Sequence, residues 1–245
     1  MVQALLSVQN LSKAFGAHLA VNKVSFNVEA GELVGFMGPN GAGKSTTMRL
    51  ITGFLAPDEG TASIAGHNIR IQRVEALKNV GYLAEQPALY EDLTPEDYLR
   101  FMAEAQNVKD VENAIRVAAK LTRCTAYLGQ PMGELSKGMR QRVHFAGALI
   151  HDPKVLILDE PTDGLDPNQK HELRLVLKEL AKTKAIIVST HILEEAEAIC
   201  TRLLIMHRGQ ILTDTTPAEL AKQGKGDIQL AFRVLTQNRG KNNDV

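Results

Sequence analysis

The chain has 245 residues, equal numbers of basic and acidic side chains, and an apolar fraction of 44%. That length can bury a full hydrophobic core, as one large or two small domains. Its formal net charge of zero argues against a protein that mainly coats nucleic acid or an acidic membrane surface. Cys124 and Cys200 are too far apart to form a metal motif, and we expect them to be reduced thiols of a cytosolic protein.

The first thirty residues are predicted to form antiparallel strands. The segments LLSVQNLSKAF and LAVNKVSFNVEAGEL alternate apolar and polar residues and contain turn formers. The N-terminus lacks the basic region and apolar run of a signal peptide, and no stretch approaches the ~20 apolar residues of a membrane helix. We therefore expect any membrane span to come from another protein.

Three short apolar runs predict a parallel sheet. Residues 33–37 (LVGFM), 154–160 (KVLILDE) and 185–190 (AIIVST) show no polar alternation, which is typical of strands with helices on both faces. The segment NQKHELRLVLKELAK, between the last two, has apolar residues at helical spacing. A strand, a helix and a strand in succession predict an α/β fold.

A helical insertion and a C-terminal helix are predicted around this core. Residues 93–152 are expected to be helical throughout, and residues 94–97 (TPED) begin a helix with a capping hydroxyl, a proline and early acids. Residues 216–219 (TPAE) repeat the pattern, with the glutamate placed for a capping box. Residues 228–235 fit either an alternating strand or a short helix, and residues 238–245 are expected to be disordered.

The sequence GPNGAGKS, residues 38–45, predicts a nucleotide-phosphate site. It fits the P-loop pattern G-x-x-x-x-G-K-[ST] and lies between a buried strand and a helix. The glycines let several backbone N–H groups converge on a phosphate chain, and the helix adds its positive end. We expect Lys44 to bridge the β- and γ-phosphates and the Ser45 hydroxyl to hold Mg²⁺.

Two acids and a histidine follow the buried strands. Asp159 ends one strand and can reach Mg²⁺, whereas Glu160 diverges from it because side chains alternate along a strand. We expect Glu160 to be the general base, or to orient the attacking water. His191 directly follows another strand, where functional groups of α/β sheets cluster, and a neutral imidazole there can contact the γ-phosphate or hold the water.

A second anion site is predicted in the segment GELSKGMRQRV. Ser136 and the backbone around Gly138 would crown the positive end of a helix whose Met139, Val143 and Ala146 face inward. Geometry argues against this end reaching the nucleotide held by its own P-loop. In a head-to-tail pair of chains it would meet the P-loop of the other copy, so that ATP joins the subunits and hydrolysis loosens them.

Residues 5–222 resemble the nucleotide-binding (ATP-binding) subunits of ABC transporters. Five motifs in the family's order carry this resemblance. GPNGAGKST is similar to Walker A, LILDE to Walker B, LSKGM to the signature LSGGQ, GLDP (164–167) to the D-loop and STH (189–191) to the switch-histidine loop. The signature differs by Lys137 for the first glycine and Met139 for the glutamine.

The resemblance implies ATP and Mg²⁺ as cofactors, and Lys44, Glu160 and His191 as catalytic residues. The implied ATP contacts are Phe15 stacked on adenine, the Walker A residues Gly38, Pro39, Asn40, Gly41, Ala42, Gly43, Lys44, Ser45 and Thr46, and, at the subunit interface, Ser136, Gly138 and Asp166. Ser45 and Asp159 are the implied metal contacts. The family's Q-loop glutamine corresponds by register to Glu85, but glutamine comes one position later at Gln86, so both remain candidates.

The implied fold is the ABC ATPase cassette of the P-loop NTPases. It has a RecA-like, mostly parallel core sheet with helices, an N-terminal antiparallel β subdomain and an inserted helical subdomain. We expect one domain at residues 1–222, with the β and α/β core at about 1–86 and 153–222 and the helical subdomain at about 87–152. Residues 223–245 would form a C-terminal tail.

The resemblance also implies partners. These are a second cassette, identical or homologous, and the transmembrane permease, which holds this chain peripherally at the cytoplasmic face of the inner membrane; no nucleic acid is expected. The sequences GYLAEQPALYEDLT, LSKGM and LDPNQ look like the subgroup that serves ABC-2-type permeases, mostly exporters, including gliding-motility systems. Five side chains belong either to the core or to a groove for a permease helix, namely Leu89, Tyr90, Leu93, Tyr98 and Phe101.

Two other function classes remain open at this point. A non-transport cassette ATPase of ribosomes or chromosomes is disfavoured by the single cassette, the short insertion and the neutral net charge. A P-loop kinase would transfer phosphate to a small substrate, but it would leave His191 and the second anion site without a function.

Overall fold

The computed structural model describes residues 4–88 and 90–238, with side chains up to residue 236. Its strands are β1 (Leu6–Phe15), β2 (His18–Val28), β3 (Leu33–Met37), β4 (Glu59–Ile64), β5 (His67–Asn68), β6 (Val80–Leu83), β7 (Val155–Asp159), β8 (Ala185–Thr190), β9 (Arg202–His207) and β10 (Gln210–Thr215). Its α-helices are α1 (Lys44–Ile51), α2 (Arg73–Leu77), α3 (Pro95–Ala105), α4 (Val111–Leu121), α5 (Lys137–Leu149), α6 (Pro167–Ala181), α7 (Leu193–Ile199), α8 (Pro217–Gln223) and α9 (Ile228–Asn238).

The N-terminal residues form the predicted antiparallel sheet. In β1 and β2, Leu6 pairs with Val28 and Val8 with Phe26, and all four side chains are buried. The strand order is β2-β1-β4-β5. The sequence does not predict β4 and β5, because short strands with few fully buried positions alternate only weakly.

The core sheet is mostly parallel, as predicted. Its order is β10-β9-β3-β8-β7-β6, and β10 alone of these strands runs antiparallel to its neighbour. Strands β3, β7 and β8 are buried along their whole length, because the four-stranded antiparallel sheet covers one face of the core sheet and helices cover the other. These three strands are adjacent, so the loops that follow them meet at one edge of the sheet.

The insertion contains α3, α4 and α5 around an apolar cluster of its own. Helix α3 begins as predicted, because the hydroxyl of Thr94 accepts the N–H of Asp97 while the Asp97 carboxylate accepts the N–H of Thr94. The region is less continuous than predicted: between α4 and α5 the chain, interrupted by Pro131, forms two single 3-10 turns. Helix α5 places Val143 in the cluster of the insertion and Phe145 in that of the core sheet, so it joins the two.

The tail contains the helix of the two predicted alternatives. Ile228 and Ala231 are buried against the core, and Phe232 and Leu235 pack on it while partly exposed. These four positions have helical spacing, and their packing outweighs the strand-like alternation of the same segment. Helix α9 therefore extends the packed structure beyond residue 222.

The remaining predictions on the chain ends have mixed outcomes. Helix α8 begins with the predicted capping box between Thr216 and Glu219. Asn238, expected to be disordered, instead ends α9, because the helix continues for a turn beyond its buried residues. Residues 239–245 and Leu89 lie outside the described residues.

Both cysteines are buried and unpaired, as expected of reduced thiols. Across residues 4–88 and 90–238, we find no helix with the length and apolar character that a membrane crossing requires.

Candidate functional site

The P-loop folds tightly against neighbouring backbone between β3 and α1. Gly43 precedes α1 with a φ of 104°, and a Cβ at this position would lie 2.4 Å from the carbonyl oxygen of Ala20. A Cβ at Gly38 would lie 2.2 Å from the carbonyl oxygen of Met206. Only glycine fits at both positions, so the loop can turn its N–H groups inward and offer the N-terminus of α1 to an anion.

Lys44 places its ammonium group inside this loop. The side chain is buried, and Nζ donates to the carbonyl oxygens of Gly38 at 2.7 Å and Pro39 at 3.3 Å. Burial lowers the pKa of Lys44, and the nearby carboxylates of Glu160 and Asp159 oppose this shift. The ammonium group can exchange its two carbonyl contacts for phosphate oxygens, which form stronger, charge-assisted hydrogen bonds.

Ser45 and Asp159 place two oxygen atoms close together at the same edge of the sheet. Asp159 is 2% exposed, and its Oδ1 accepts a hydrogen bond from the Ser45 hydroxyl at 3.3 Å and another from the Ser189 hydroxyl. In the described part of the chain, no group of three or more His, Cys, Asp or Glu side chains could hold a metal by itself. Mg²⁺ commonly binds one or two protein oxygens together with phosphate oxygens and water, so these donors fit a Mg²⁺ ion that accompanies a nucleotide.

Glu160 occupies a strained backbone position beside His191. Its φ is +49°, a left-handed conformation that costs a residue with a side chain roughly 1–3 kcal/mol. Its N–H donates to the carbonyl oxygen of Ser189 at 3.2 Å and to the Ser189 Oγ at 3.1 Å. Its Oε1 lies 3.0 Å from Nδ1 of His191. The side chain of Asp159 bonds Ser45 and Ser189 instead, so the two acids diverge as predicted.

The surroundings of Glu160 also change its acidity. Burial raises the pKa of Glu160, and the hydrogen bond and charge of His191 partly oppose the rise. A raised pKa brings a carboxylate closer to neutral pH, where it accepts a proton more readily. This arrangement suits a general base.

A cleft of about 400 Å³ opens over the P-loop. This volume lies within the range of roughly 300–1,000 Å³ that is usual for ligand sites. Phe15 lies at the cleft with 49% of its surface exposed, so it is not a core phenylalanine. Glu85 lines the cleft as well, whereas the exposed Gln86 does not. On the P-loop side, the lining consists of Asn40, Gly41 and residues 43–46.

Three predicted ATP contacts of the P-loop do not line the cleft, namely Gly38, Pro39 and Ala42. Ala42 is buried, and its N–H donates to the carbonyl oxygen of Pro39 at 3.1 Å. This bond closes the turn that brings Asn40 and Gly41 to the surface. Ala42 and Pro39 therefore support the loop geometry.

No sequence motif predicts a role in this site for three of its residues. His18 and Ala20 line the cleft, and Ser189 bonds both Asp159 and the backbone of Glu160. Ser189 had a recognisable signal, since it is a polar residue at the buried end of an apolar strand. His18 had no signal in the sequence, because its pairing with Phe15 across the turn between β1 and β2 is seen only in the structure.

The second predicted anion site lies on a different surface. Ser136 caps α5, where its Oγ accepts the N–H of Met139 at 3.2 Å, and it is exposed. Lys137 forms an ion pair with Asp163 at 2.7 Å, and Asp166 caps α6. None of these described side chains lines the P-loop cleft, so one chain does not bring its two anion sites together.

Gly138 is buried under α6. A Cβ at this position would lie 2.5 Å from Oε1 of Gln169, so the first turn of α5 packs directly on the first turn of α6. The two capped helix ends, at Ser136 and Asp166, are thereby held beside each other on one surface.

Comparisons with known proteins show what this chain is similar to. Residues 21–163 match the family described as ABC transporter. The Nod factor export ATP-binding protein I of Burkholderia lata is 35% identical over 92% of this chain and 75% of its own length. The bacitracin transport ATP-binding protein BcrA of Bacillus licheniformis is 34% identical over 97% of this chain and 78% of its own. A solved ATP-binding subunit of an ABC transporter superposes with a TM-score of 0.86 at 33% identity, covering 94% of this chain and 99% of its own.

Proposed function

The chain belongs to the ABC transporter family, and on this premise we propose that it powers an exporter of the ABC-2 type. It is an ATP-binding subunit and an ATPase of that family. The direction of transport is supported by a relative named for Nod factor export and by the sequences LSKGM and LDPNQ. The observation that carries the proposal is the meeting of Lys44, Ser45, Asp159 and Glu160 at one edge of the core sheet.

The phosphates and the metal lie on the P-loop side of the proposed reaction. Lys44 and the N–H groups of the loop bind the phosphate chain, and Ser45 and Asp159 would hold Mg²⁺. A bound ion would supply positive charge that offsets the charge developing on the phosphates during transfer. Of the two Q-loop candidates, Glu85 is the better placed, because it lines the cleft.

The attacking water lies on the other side, at Glu160. The carboxylate accepts a proton from this water or orients it, and the bond to His191 holds the carboxylate in place. His191 is more exposed, with 55% of its side chain accessible, so it can also contact a γ-phosphate. Attack of the water oxygen on the γ-phosphorus breaks its bond to the β–γ bridging oxygen, and ADP leaves with that electron pair. Glu160 then gives its proton to the released phosphate, which restores the carboxylate.

We expect Phe15→Ala to weaken ATP binding about three- to tenfold, because an aromatic stack contributes roughly 0.5–1.5 kcal/mol. Isothermal titration with ATP measures this change, and Phe15→Tyr should retain the native Kd. A matched control is Phe54→Ala, which removes a ring that is 73% exposed and outside the cleft. Equal ATP affinity in all three variants would contradict the stacking role.

The position of the helix cap supports the proposal of a second cassette. Ser136 is exposed at the N-terminus of α5, away from the P-loop cleft of its own chain. In a head-to-tail pair, Ser136 and the N–H groups near Gly138 contact the γ-phosphate bound by the other copy, with Asp166 beside them. ATP then closes the pair, and hydrolysis opens it.

The permease contact lies on the insertion. Tyr90 and Phe101 are 45% and 57% exposed, whereas Tyr98 is buried and Leu93 is half-buried. These four side chains are thus divided between the core and the surface, and the exposed ones can contact an apolar helix of the permease. In this arrangement the chain is held at the cytoplasmic face of the inner membrane. The core lies at about residues 1–86 and 153–222, the helical subdomain lies at about residues 87–152, and α9 packs on the core beyond residue 222.

Purification of the tagged chain from detergent-solubilised membranes of its own host tests the proposal. We expect recovery of a multi-span membrane protein, and loss of that protein with Phe101→Asp while ATP binding persists. The exposed Val117→Asp, on α4, is the matched control that should retain the partner. Recovery of ribosomes, or formation of a phosphorylated metabolite in place of free phosphate, would contradict the proposal.

A further inference from the structure

A buried carboxylate outside the cleft connects the two loops that carry Glu160 and His191. Glu195 lies on α7, four residues after His191, and is 5% exposed. Its Oε2 accepts a hydrogen bond from Oγ1 of Thr162 at 2.5 Å, and its Oε1 accepts one from Nζ of Lys170 at 2.9 Å. Thr162 is equally buried and lies two residues after Glu160. The two oxygens of one carboxylate therefore hold two different elements.

The two bonds have different physical roles. A buried carboxylate needs a counter-charge, and the ammonium group of Lys170 on α6 supplies it. The hydroxyl of Thr162 adds no charge, so neutrality does not require this bond. Its consequence is geometric, because it fixes the turn after β7 to the helix after β8.

The turn that contains Thr162 transmits its position to Glu160. The N–H of Asp163 donates to the carbonyl oxygen of Glu160 at 3.1 Å, and the N–H of Leu165 donates to that of Thr162 at 3.2 Å. A displacement of Thr162 therefore also displaces the backbone of Glu160. A residue at positive φ keeps that conformation only when its surroundings over-determine it. Ser189 fixes the backbone N–H of Glu160, and the bond from Thr162 to Glu195 fixes the turn that follows Glu160.

At the other end of the Thr162–Glu195 bond, the position of Glu195 affects the position of His191. This residue lies in a short link between β8 and α7, where the N–H of Ile192 donates to Oγ1 of Thr190 at 3.0 Å. Because α7 begins directly after this link, the position of Glu195 on α7 is coupled to that of His191. The contact between Glu160 and His191 at 3.0 Å is thus supported from behind by a second contact between the same two segments.

We propose that Glu195 is a positioning residue for ATP hydrolysis, which acts through Thr162 to hold the turn of Glu160 at the correct distance from His191. Neither Glu195 nor Thr162 lines the cleft, so neither contacts the nucleotide directly. The inference rests on the role proposed for Glu160, and it adds to that role the means by which a strained residue stays in register with its histidine.

The test removes the Thr162 hydroxyl without changing the side-chain shape. For Thr162→Val we expect kcat for ATP hydrolysis to fall about tenfold or more, since small misplacements of reacting groups have large effects on rate. The Kd for ATP should stay within about twofold of wild type. Thr162→Ser restores the hydroxyl and should recover kcat to within about twofold of wild type.

The matched control is Thr215→Val. Thr215 is also buried and its hydroxyl also bonds a carboxylate, that of Glu219 at 3.2 Å, but neither residue lines the cleft or belongs to the turn of Glu160. It should lose a similar amount of thermal stability and keep its kcat. Should Thr162→Val fail to fold, Thr162→Ala performs the same test, because it also lacks the hydroxyl and introduces no new bulk.

A double-mutant comparison separates positioning from general damage. In a Glu160→Gln background, single-turnover hydrolysis should fall less than about twofold further with Thr162→Val, because the residue through which Thr162 acts is already disabled. An unchanged kcat in Thr162→Val would overturn the inference, as would an equal loss in both backgrounds. Native hydrolysis by Glu160→Gln alone would instead overturn the role proposed for Glu160, so the two failures are distinguishable.

Discussion

Glu160→Gln is expected to lower kcat for ATP hydrolysis by roughly 10²–10⁴-fold, the range associated with loss of a general base. Glutamine has nearly the same size, and its amide oxygen can still meet Nδ1 of His191, so the fold should persist. The Kd for ATP should stay within about threefold of wild type. Because binding continues without hydrolysis, ATP should convert this variant to a stable dimer that elutes early in size-exclusion chromatography.

The pH dependence gives a second signature of the same residue. A general base must be ionised to accept a proton, and burial raises the pKa of Glu160. As the pH is lowered, kcat/KM should therefore begin to fall at a higher pH than it would with an ordinary glutamate as the base. In Glu160→Gln the residual rate should not show this decrease at low pH.

The raised pKa of Glu160 also affects the stability of the fold, which it lowers at neutral pH relative to acidic pH. A carboxyl group whose pKa is raised by folding stabilises the native state at low pH and loses this contribution as pH rises through the folded pKa. Glu160→Gln should therefore unfold at a slightly higher temperature than wild type at neutral pH.

The control for Glu160 is Glu104→Gln on α3. It makes the same chemical change at an exposed glutamate of the insertion, and it should hydrolyse ATP at the native rate. Native turnover in Glu160→Gln would show that another group activates the water. A dimer that forms equally without ATP would show that the nucleotide does not join the two chains.

Mixing two inactive variants, Lys44→Ala and Ser136→Asp, is expected to restore ATP hydrolysis if one nucleotide is shared by two chains. Lys44→Ala removes a buried charge partner of the phosphates and should reduce activity at least about 30-fold, equivalent to roughly 2 kcal/mol. Ser136→Asp retains a good helix cap, because aspartate and serine are about equally favourable at that position. Its carboxylate nevertheless repels the γ-phosphate of the other chain, so ATP-driven dimerisation should be lost while each chain still binds ATP.

The mixture distinguishes the two arrangements of the site. In a mixed pair, the intact Lys44 of one variant faces the intact Ser136 of the other, while the opposite site is doubly defective. At equal concentrations, about a quarter of all sites should be intact. Activity of that order, absent from either variant alone, is the expected result. A mixture as inactive as its components would mean that Lys44 and Ser136 do not act on the same nucleotide in a pair of chains.

Local sequence was sufficient for the parts of this protein whose shape depends on neighbouring residues. The P-loop is an example, since the glycine at 43 is required by its own positive φ. The capped starts of α3 and α8 are others, since each cap closes within four residues. The divergence of Asp159 and Glu160 also follows from local geometry, because alternation along a strand depends only on the backbone.

The secondary structure of the C-terminal segment and the full lining of the P-loop cleft could not be predicted from local sequence. Residues 228–235 carry a pattern compatible with a strand and with a helix, and burial of Ile228 and Ala231 against the core decides between them. The addition of His18 to the cleft depends on how the hairpin of β1 and β2 sits over the P-loop. The order of strands β3, β8 and β7 is likewise a property of the assembled sheet, and it brings Ser45 within 3.3 Å of Asp159.

By itself, then, the sequence determined which chemical groups are present and the short backbone shapes that carry them: a phosphate-binding loop, a pair of diverging acids and a capped helix. Only the tertiary structure decided which of those groups meet, and it added contacts such as Thr162 with Glu195 that have no motif. The physical reason is that turns, caps and strand alternation depend on bonds between near neighbours, whereas a contact between residues far apart in the chain depends on how the whole core packs.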